Sequence, residues 1–164
     1  MKKSVWVMMK SILIITLILL FCGCEGENEN MKSKVAIDQI RKAFDASWLS
    51  ENVDVILDYC SNDIILMPPN VEPVLGKENL RAFLKGFFDH FTFTDLKILE
   101  REVIASGDLA FERIAYDWVI LPEGQDKGIG DRVNFLGIYQ RQADGEWKET
   151  RGIWNSARPA GGAQ

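Results

Sequence analysis

Apolar residues between positions 37 and 88 recur every three or four residues, which predicts three amphipathic helices. The first apolar stripe consists of Ile37, Ile40, Phe44 and Trp48. A second, short stripe follows the helix-capping residue Asn52 and consists of Val53, Ile56, Leu57 and Cys60. The third begins after Gly76 and consists of Leu80, Phe83, Leu84, Phe87 and Phe88. Between the last two, Pro68 and Pro69 end a brief strand from Ile64 to Met67, and the loop from Asn70 to Leu75 follows.

The apolar period changes to two after Phe91, which predicts four long strands. Their ranges are Thr92 to Ser106, Leu109 to Leu121, Arg132 to Arg141 and Glu146 to Ser156. The joints at Gly107-Asp108, residues 123–130 and Asp144-Gly145 contain residues that favour turns. Consecutive strands with short joints form an antiparallel meander, so the pattern predicts an α+β domain with three N-terminal helices on one face of the sheet.

The first 23 residues resemble a bacterial lipoprotein signal peptide. Lys2, Lys3 and Lys10 accompany an uncharged apolar run from Ile12 to Phe21, and the small Gly23 precedes Cys24. The resemblance implies that Cys24 becomes the first residue of the mature chain and carries the lipid, with acyl chains such as palmitate. We therefore expect a lipid anchor to a membrane of the cell envelope, with the domain facing the periplasm or the exterior.

Two alternatives exist for this segment. A transmembrane helix needs roughly 20 apolar residues, and extending the run to that length buries Lys10. Lipidation of Cys22 places the bulky Phe21 where the processing enzyme favours a small residue.

Residues 24–34 carry a single apolar side chain after Cys24 and predict a flexible tether. The folded domain is predicted at 35–158 and a disordered tail at 159–164.

Charge and cysteine content narrow the possible partners. The chain has 19 Lys and Arg against 24 Asp and Glu, and removal of residues 1–23 takes away three lysines and no acid, so the net charge moves from −5 to −8. An acidic domain without a basic stripe is not expected to bind nucleic acid. Cys60 is the one cysteine of the predicted domain, so no internal disulfide is available. A packing thiol is a commoner role for it than a nucleophile.

Few residues point to catalysis or to a cofactor. Histidine pairs, acids at metal-ligand spacing and a glycine-rich phosphate loop do not occur in the sequence, so no metal or nucleotide cofactor is predicted. His90, the single histidine, could act as a general base near neutral pH. The alternative, which we favour, is that it caps the end of the third helix.

Short motifs in order along the chain resemble the nuclear transport factor 2-like superfamily, which includes SnoaL-like proteins and ketosteroid isomerase. The motifs are Ser50-Glu51-Asn52, Ser61-Asn62-Asp63, Gly76-Lys77-Glu78, Ser106-Gly107-Asp108 with Ala110, and Asp144 to Lys148 running to Trp154-Asn155-Ser156. The resemblance implies a strongly curved sheet that forms a cone, with the helices on its concave side and an apolar pocket inside. It also implies a homodimer formed through the outer face of the sheet.

The resemblance does not extend to the catalytic groups of the isomerase. That enzyme uses a general-base Asp and an oxyanion hole made by a Tyr and a protonated Asp. Matching the motifs places Phe44 at the Tyr, Pro68 at the base and Gly137 at the oxyanion Asp. Since none of these three side chains can exchange a proton, the isomerase mechanism is not expected.

The same resemblance sets which residues of each strand face the pocket. The expected lining residues are Phe44, Trp48, Met67, Arg113, Asp117, Tyr139 and Trp154. Asp117, Arg113 and His90 are the candidates for catalysis. Arg113 and Asp117 are four residues apart and share one face of a strand, so one could bind an anionic group and the other act as a base. The alternative, which we favour, is that each is a solvated or cross-strand-paired charge. For Trp48, Trp118, Trp147 and Trp154 a place in the core is a commoner role than a platform for a ligand.

Three functions remain open from the sequence. The first is a membrane-tethered module that binds a small apolar or aromatic molecule without chemistry. The second is a SnoaL-like isomerase, cyclase or dehydratase with a different acid-base set. The third is a dimeric interaction module of the cell envelope whose pocket is filled by its own side chains.

Overall fold

The structure is a computed structural model and describes residues 28–157. The predictions for residues 1–23, for Cys24 and for the tail at 159–164 concern residues outside this range. In chain order the elements are α1 (residues 28–50), α2 (Val53–Asp58), β1 (Cys60–Met67), β2 (Val74–Leu75), α3 (Lys77–Phe88), β3 (Phe91–Ser106), β4 (Leu109–Pro122), β5 (Ile129–Arg141) and β6 (Trp147–Ser156). Among these residues, no helix has the length and apolarity to cross a membrane.

The six strands form one sheet in the order β2-β1-β6-β5-β4-β3. Strands β3 to β6 are consecutive antiparallel neighbours, which confirms the predicted meander. Strand β1 pairs in parallel with β6, with Leu66 opposite Gly152, so the sheet as a whole is mixed, a feature that the predicted meander does not include. Pro68 and Pro69 mark the end of this strand in the sequence, but they carry no signal for a partner strand that lies more than 80 residues away.

The sheet curves around the helices. Its ladders shift register in β3 between Phe93 and Asp95 and again between Ile98 and Glu100, and such bulges bend and twist a strand. The core on the concave side contains Ile37, Ile40, Phe44, Leu80, Leu84, Tyr139 and Trp147. The predicted α+β class, with helices on the concave side of a curved sheet, is confirmed.

Helix boundaries agree with the sequence signals at two of the predicted caps. The Asn52 side chain accepts a hydrogen bond from the Val55 amide at 3.2 Å, at the start of α2. Gly76 precedes α3 with φ 82°, in the region that favours glycine. Cys60, however, begins β1 instead of continuing α2, because the Tyr59 carbonyl accepts a hydrogen bond from the Glu149 amide of β6.

The start of α1 differs from the prediction. Residues 28–34, predicted as a flexible tether, are helical. Ser33 is 1% exposed, and its hydroxyl accepts a hydrogen bond from Arg141 of β5 at 3.0 Å. Arg141 also forms an ion pair with Glu29 at 3.5 Å. The prediction failed because polar contacts to a distant strand, which leave no hydrophobic pattern, hold this turn. Residues 24–27 lie outside the described residues.

A buried charge network joins α1 to the sheet. Glu112 of β4 has no exposed surface, and its Oε2 accepts hydrogen bonds from Arg41 of α1 at 2.7 and 3.0 Å. The same oxygen accepts the hydroxyl of Tyr139 at 2.8 Å. The other oxygen, Oε1, accepts a hydrogen bond from Arg101 Nε of β3 at 2.6 Å, and Arg101 also forms an ion pair with Asp38 of α1. Four elements thereby meet at one carboxylate.

We expect Arg41→Met to destabilise the protein by about 3–5 kcal/mol, because it removes one partner of a buried ion pair and leaves the other charge poorly compensated. The matched control is Arg113→Met, since Arg113 is half exposed and its pairs with Glu100 and Glu102 lie at the surface. The control should change stability by less than about 1 kcal/mol. Urea denaturation followed by tryptophan fluorescence measures both, and equal losses would contradict the assigned role of Arg41.

Candidate functional site

A cavity of about 130 Å³ lies between the helices and the concave face of the sheet. An apolar cavity of about 150 Å³ holds one benzene molecule, so this volume corresponds to a single six-membered ring with small substituents. Most of the lining is aromatic or aliphatic. The lining residues are Arg41, Phe44, Asp45, Trp48, Ile56, Cys60, Ile64, Leu66, Leu80, Phe83, Leu84, Phe87, Phe93, Leu96, Tyr116, Trp118, Ile120, Val133, Phe135, Glu149 and Trp154.

Packed rings form one wall of the cavity. Trp48, at the end of the α1 stripe, packs edge-on against Phe87 of α3 and Phe93 of β3, with centroids 6.1 and 5.2 Å apart. Phe93 in turn packs against Trp118 of β4 at 5.3 Å. Each ring comes from a different element, so the fold assembles the wall. Aromatic rings in such edge-to-face contact present a fixed apolar surface.

Three polar side chains of the lining satisfy one another. The Tyr116 hydroxyl donates to Asp45 Oδ1 at 3.0 Å, and Arg41 lies 3.5 Å from the same oxygen. Burial raises the pKa of Asp45 and also that of Tyr116. The Arg41 guanidinium lies 5.1 Å from the Phe135 ring centroid, within cation–π distance. These groups add polarity to the cavity without an unpaired charge.

Glu149 of β6 is the exception among the polar lining residues. It is 5% exposed, and its buried Oε1 has no hydrogen-bond partner among the described residues. The pKa of Glu149 is raised to about 8, mainly by burial; the Arg41 guanidinium opposes the rise and the Glu112 charge adds to it. At neutral pH this side chain is therefore a neutral carboxylic acid in an apolar cavity.

Two glycines make room for the Glu149 carboxyl. A Cβ atom added at Gly152 would lie 2.7 Å from Glu149 Oε1, and one at Gly137 would lie 3.2 Å from it. Gly137 and Gly152 are directly opposite each other on β5 and β6. A side chain at either position would displace the carboxyl, so the local sequence of both strands is matched to Glu149.

Cys60 also lines the cavity, and its side chain is a protonated thiol. Its Sγ donates to the Ile56 carbonyl at 3.3 Å, and burial raises its pKa well above the usual value. A protonated, hydrogen-bonded thiol is a weak nucleophile, so the packing role expected from the sequence accounts for this residue.

Of the predicted pocket residues, Phe44, Trp48 and Trp154 line the cavity. Arg113 and Asp117 do not, because they lie on the outer face of β4. Arg113 pairs with Glu100 at 3.3 Å, and Asp117 pairs with Arg132 at 3.1 Å. These are the cross-strand pairs that the sequence left as the alternative. The apolar alternation of β4, which continues through Ile114, Tyr116, Trp118 and Ile120, marks the opposite set of residues as inward.

The remaining predicted residues also lie outside the cavity lining. Met67 is in register with the exposed Ile153, which places it on the outer face of the sheet. Tyr139 faces inward but is fully buried, where its hydroxyl binds Glu112. His90 is exposed next to Glu123, 3.8 Å from it, at the end of α3. Asp117, Arg113 and His90 therefore cannot act together on a molecule held in the cavity.

The positions matched to the isomerase groups carry no proton-handling side chain. Phe44 lines the cavity, Pro68 is buried outside the lining, and Gly137 has no side chain. Glu149, which the sequence analysis did not name, lies beside Gly137 and brings a carboxyl group to the cavity. Sequence reasoning missed Glu149, Asp45 and Arg41. Arg41 and Asp45 lie four residues apart on the same helical face as the apolar stripe of α1. A charged residue on an apolar face is the sequence signal that could have identified both of them.

Among residues 28–157, no group of three or more His, Cys, Asp or Glu side chains is arranged to hold a metal ion.

The curved sheet, the inner helices and an apolar cavity with a few polar groups define the class of small cone-shaped α+β domains with an internal pocket. Residues 40–150 match the family described as the SnoaL-like domain, and the chain belongs to this family. No curated protein matches the sequence.

Solved structures show the same fold. A ketosteroid isomerase-like protein from Erwinia carotovora atroseptica is 21% identical with a TM-score of 0.68, and the match covers 76% of this chain and 96% of that one. An NTF2-like protein of unknown function from Pseudomonas putida is 16% identical with a TM-score of 0.67, covering 82% and 93%. An NTF2-like protein from Cytophaga hutchinsonii is 15% identical with a TM-score of 0.62, covering 75% and 97%.

The raised pKa of Glu149 predicts how stability changes with pH. Between pH 4.5 and about 8 the folded state keeps a proton that the unfolded state has lost, so stability falls as the pH rises and levels off above about 8. The total fall is on the order of 3–5 kcal/mol. Glu149→Gln removes this titration, so its unfolding free energy should vary less over the same range. Parallel urea titrations from pH 4.5 to 9 measure the difference, and superimposable pH profiles would disprove it.

Proposed function

We propose that this domain binds a small, single-ring aromatic or similarly compact apolar molecule in its cavity. The observation that carries the proposal is the cavity itself: its volume of about 130 Å³ and its aromatic and aliphatic lining. Sites for small molecules are typically concave, mostly apolar and provided with a few oriented polar groups. Asp45, Tyr116 and Glu149 are such groups here.

The size of the cavity selects the ligand class. A molecule with four fused rings exceeds a volume that holds one ring, and the wall of Trp48, Phe93 and Trp118 would have to move to admit it. We therefore favour a single-ring compound over a steroid. The space left between the lining side chains also weighs against the hypothesis of a completely filled pocket.

An isomerase, cyclase or dehydratase activity is the second candidate. The observation that favours it is a buried acid, Glu149, whose pKa of about 8 suits proton exchange near neutral pH. Its acid-base set would consist of Glu149, Asp45 and Tyr116 instead of the residues expected from the sequence.

Blocking the cavity should abolish binding. Leu96 lines the cavity and is partly exposed, so Leu96→Trp adds bulk there with little risk to the fold. The matched control is Leu99→Trp, since Leu99 lies on the same strand, is 37% exposed and does not line the cavity. Isothermal titration with toluene should give at least about a tenfold weaker Kd for Leu96→Trp and an unchanged Kd for the control. Binding of a steroid without binding of toluene would refute the proposed ligand class.

We also propose that the domain is held at a membrane through a lipid on Cys24. Cys24 precedes residue 28, the first described residue of α1, by only four positions. The first described turns of α1 contact Arg141 at the end of β5, whereas the cavity is lined by the later residues Arg41 to Trp48. At about 1.5 Å per helical residue, the cavity then begins about 20 Å from residue 28 along the helix. A lipid anchor would therefore attach to the end of α1 remote from the cavity.

Cys24→Ala should release the full-length chain from the membrane fraction and leave the signal segment uncleaved, because both lipid attachment and the following cleavage need the thiol. Cys22→Ala is the matched control and should fractionate with membranes as the unchanged protein does. Ultracentrifugation and intact-mass measurement report the two effects. An identical distribution for Cys24→Ala would exclude the anchor.

A homodimer through the outer face of the sheet is a further proposal. It is supported by apolar side chains exposed on that face, namely Leu136, Ile138 and Ile153, each about 40% exposed. Leu136 and Ile153 are directly opposite each other on β5 and β6, so they form one patch. Light scattering of the purified protein should give twice the chain mass, and Leu136→Asp should return it to the monomer mass. A wild-type monomer at micromolar concentration would contradict the dimer.

A further inference from the structure

We propose that Glu149 is the residue that orients the ligand, by donating a hydrogen bond from its neutral carboxyl group to a carbonyl or other uncharged acceptor on the aromatic ring. This inference rests on the proposed function and narrows it. The ligand class becomes a single-ring aromatic ketone, aldehyde or amide.

The geometry around Glu149 supports a role beyond packing. The side chain is buried among Leu66, Phe135 and the two glycines, and its Oε1 has no hydrogen-bond partner in the described part of the chain. A buried polar group that lacks a hydrogen bond destabilises the folded protein, whereas an apolar residue of similar size would not. Gly137 and Gly152 leave space for this carboxyl group. The fold therefore keeps an energetically unfavourable group at a position that lines the cavity.

Among residues 28–157 no neighbouring group supplies the missing hydrogen bond, and the cation that acts on Glu149, Arg41, is already paired with Glu112. From α1, Arg41 and Asp45 face the cavity, but Arg41 is held by Glu112 and Tyr139, and Asp45 by Tyr116. The other titratable groups near Glu149 are Glu112 and Tyr116 of β4, Tyr139 of β5 and Cys60 of β1. On α3 and β3 the lining residues are apolar. A bound acceptor atom would satisfy Glu149.

The charge state of Glu149 determines what it can recognise. As a neutral acid it donates to a carbonyl oxygen, but as a carboxylate it can only accept and would repel that oxygen. Because burial raises its pKa to about 8, the change falls in an accessible pH range. Burial raises the pKa of Tyr116 and of Cys60, so neither of these cavity groups becomes charged near neutral pH.

The test compares two ligands of nearly the same shape, acetophenone and α-methylstyrene, in which C=O replaces C=CH₂. Titration calorimetry gives the Kd of each at pH 6 and pH 9.5 with the purified protein. We expect acetophenone to bind about tenfold more tightly at pH 6 and to lose this advantage at pH 9.5, with a midpoint near pH 8.

Variants separate the contribution of Glu149 from that of its neighbours. Glu149→Gln retains a donor and should keep the preference for acetophenone at both pH values, whereas Glu149→Leu should bind both compounds equally at both. Asp45→Asn should keep the pH dependence of the wild type. If the wild type binds both compounds equally at pH 6 and pH 9.5, this inference is wrong while the proposed function stands. If neither compound binds, both are wrong. A pH dependence lost in Asp45→Asn but kept in Glu149→Gln would assign the role to Asp45 instead.

Discussion

The carboxylate of Glu112 is the point on which the arrangement of this domain depends. It has no exposed surface, and it binds Arg41 from α1, Arg101 from β3 and Tyr139 from β5. A buried charge of this kind is tolerated only when its hydrogen bonds are complete, so α1 can occupy the concave face in one position along its axis. The apolar stripe of α1 would permit small shifts, but the network does not. The same contact places Phe44, Asp45 and Trp48 of α1 opposite the sheet at the cavity.

The polar side chains of the cavity fall into two groups, according to whether their hydrogen bonds are made within the protein. Arg41, Asp45 and Tyr116 bond to one another or to Glu112, so they can support the cavity without further partners. Glu149 lies against Gly137 and Gly152 with one oxygen unbonded. An apolar enclosure with one neutral acid resembles a site for a compact molecule with a single acceptor more than a site for a charged or extended one. Both proposals about the ligand follow from this division.

The outer face of the sheet has a different character from the cavity. Charges there form exposed cross-strand pairs, such as Arg113 with Glu102 and Asp117 with Arg132, and these contribute little to stability. Apolar residues on β5 and β6 lie among them, in the patch that supports the proposed dimer. A lipid anchor, a dimer face and a ligand cavity would therefore occupy three separate parts of the molecule, so that each can be tested without disturbing the others.

The sequence by itself determined the helices, the four long strands, the turns between them and the α+β class, because apolar periodicity and turn residues are local signals. It also identified Phe44, Trp48 and Trp154 as cavity residues. Only the tertiary structure decided the parallel pairing of β1 with β6 and the helical start of α1 at residues 28–34. Arg113 and Asp117 were assigned to the inward side from the family resemblance, whereas the apolar alternation of the same strand marks the other side as inward. The role of Glu149 depends on glycines of β5 and β6 and on charged residues of α1 and β4. The sequence did not reveal this role because contacts between distant segments produce no periodic pattern along the chain.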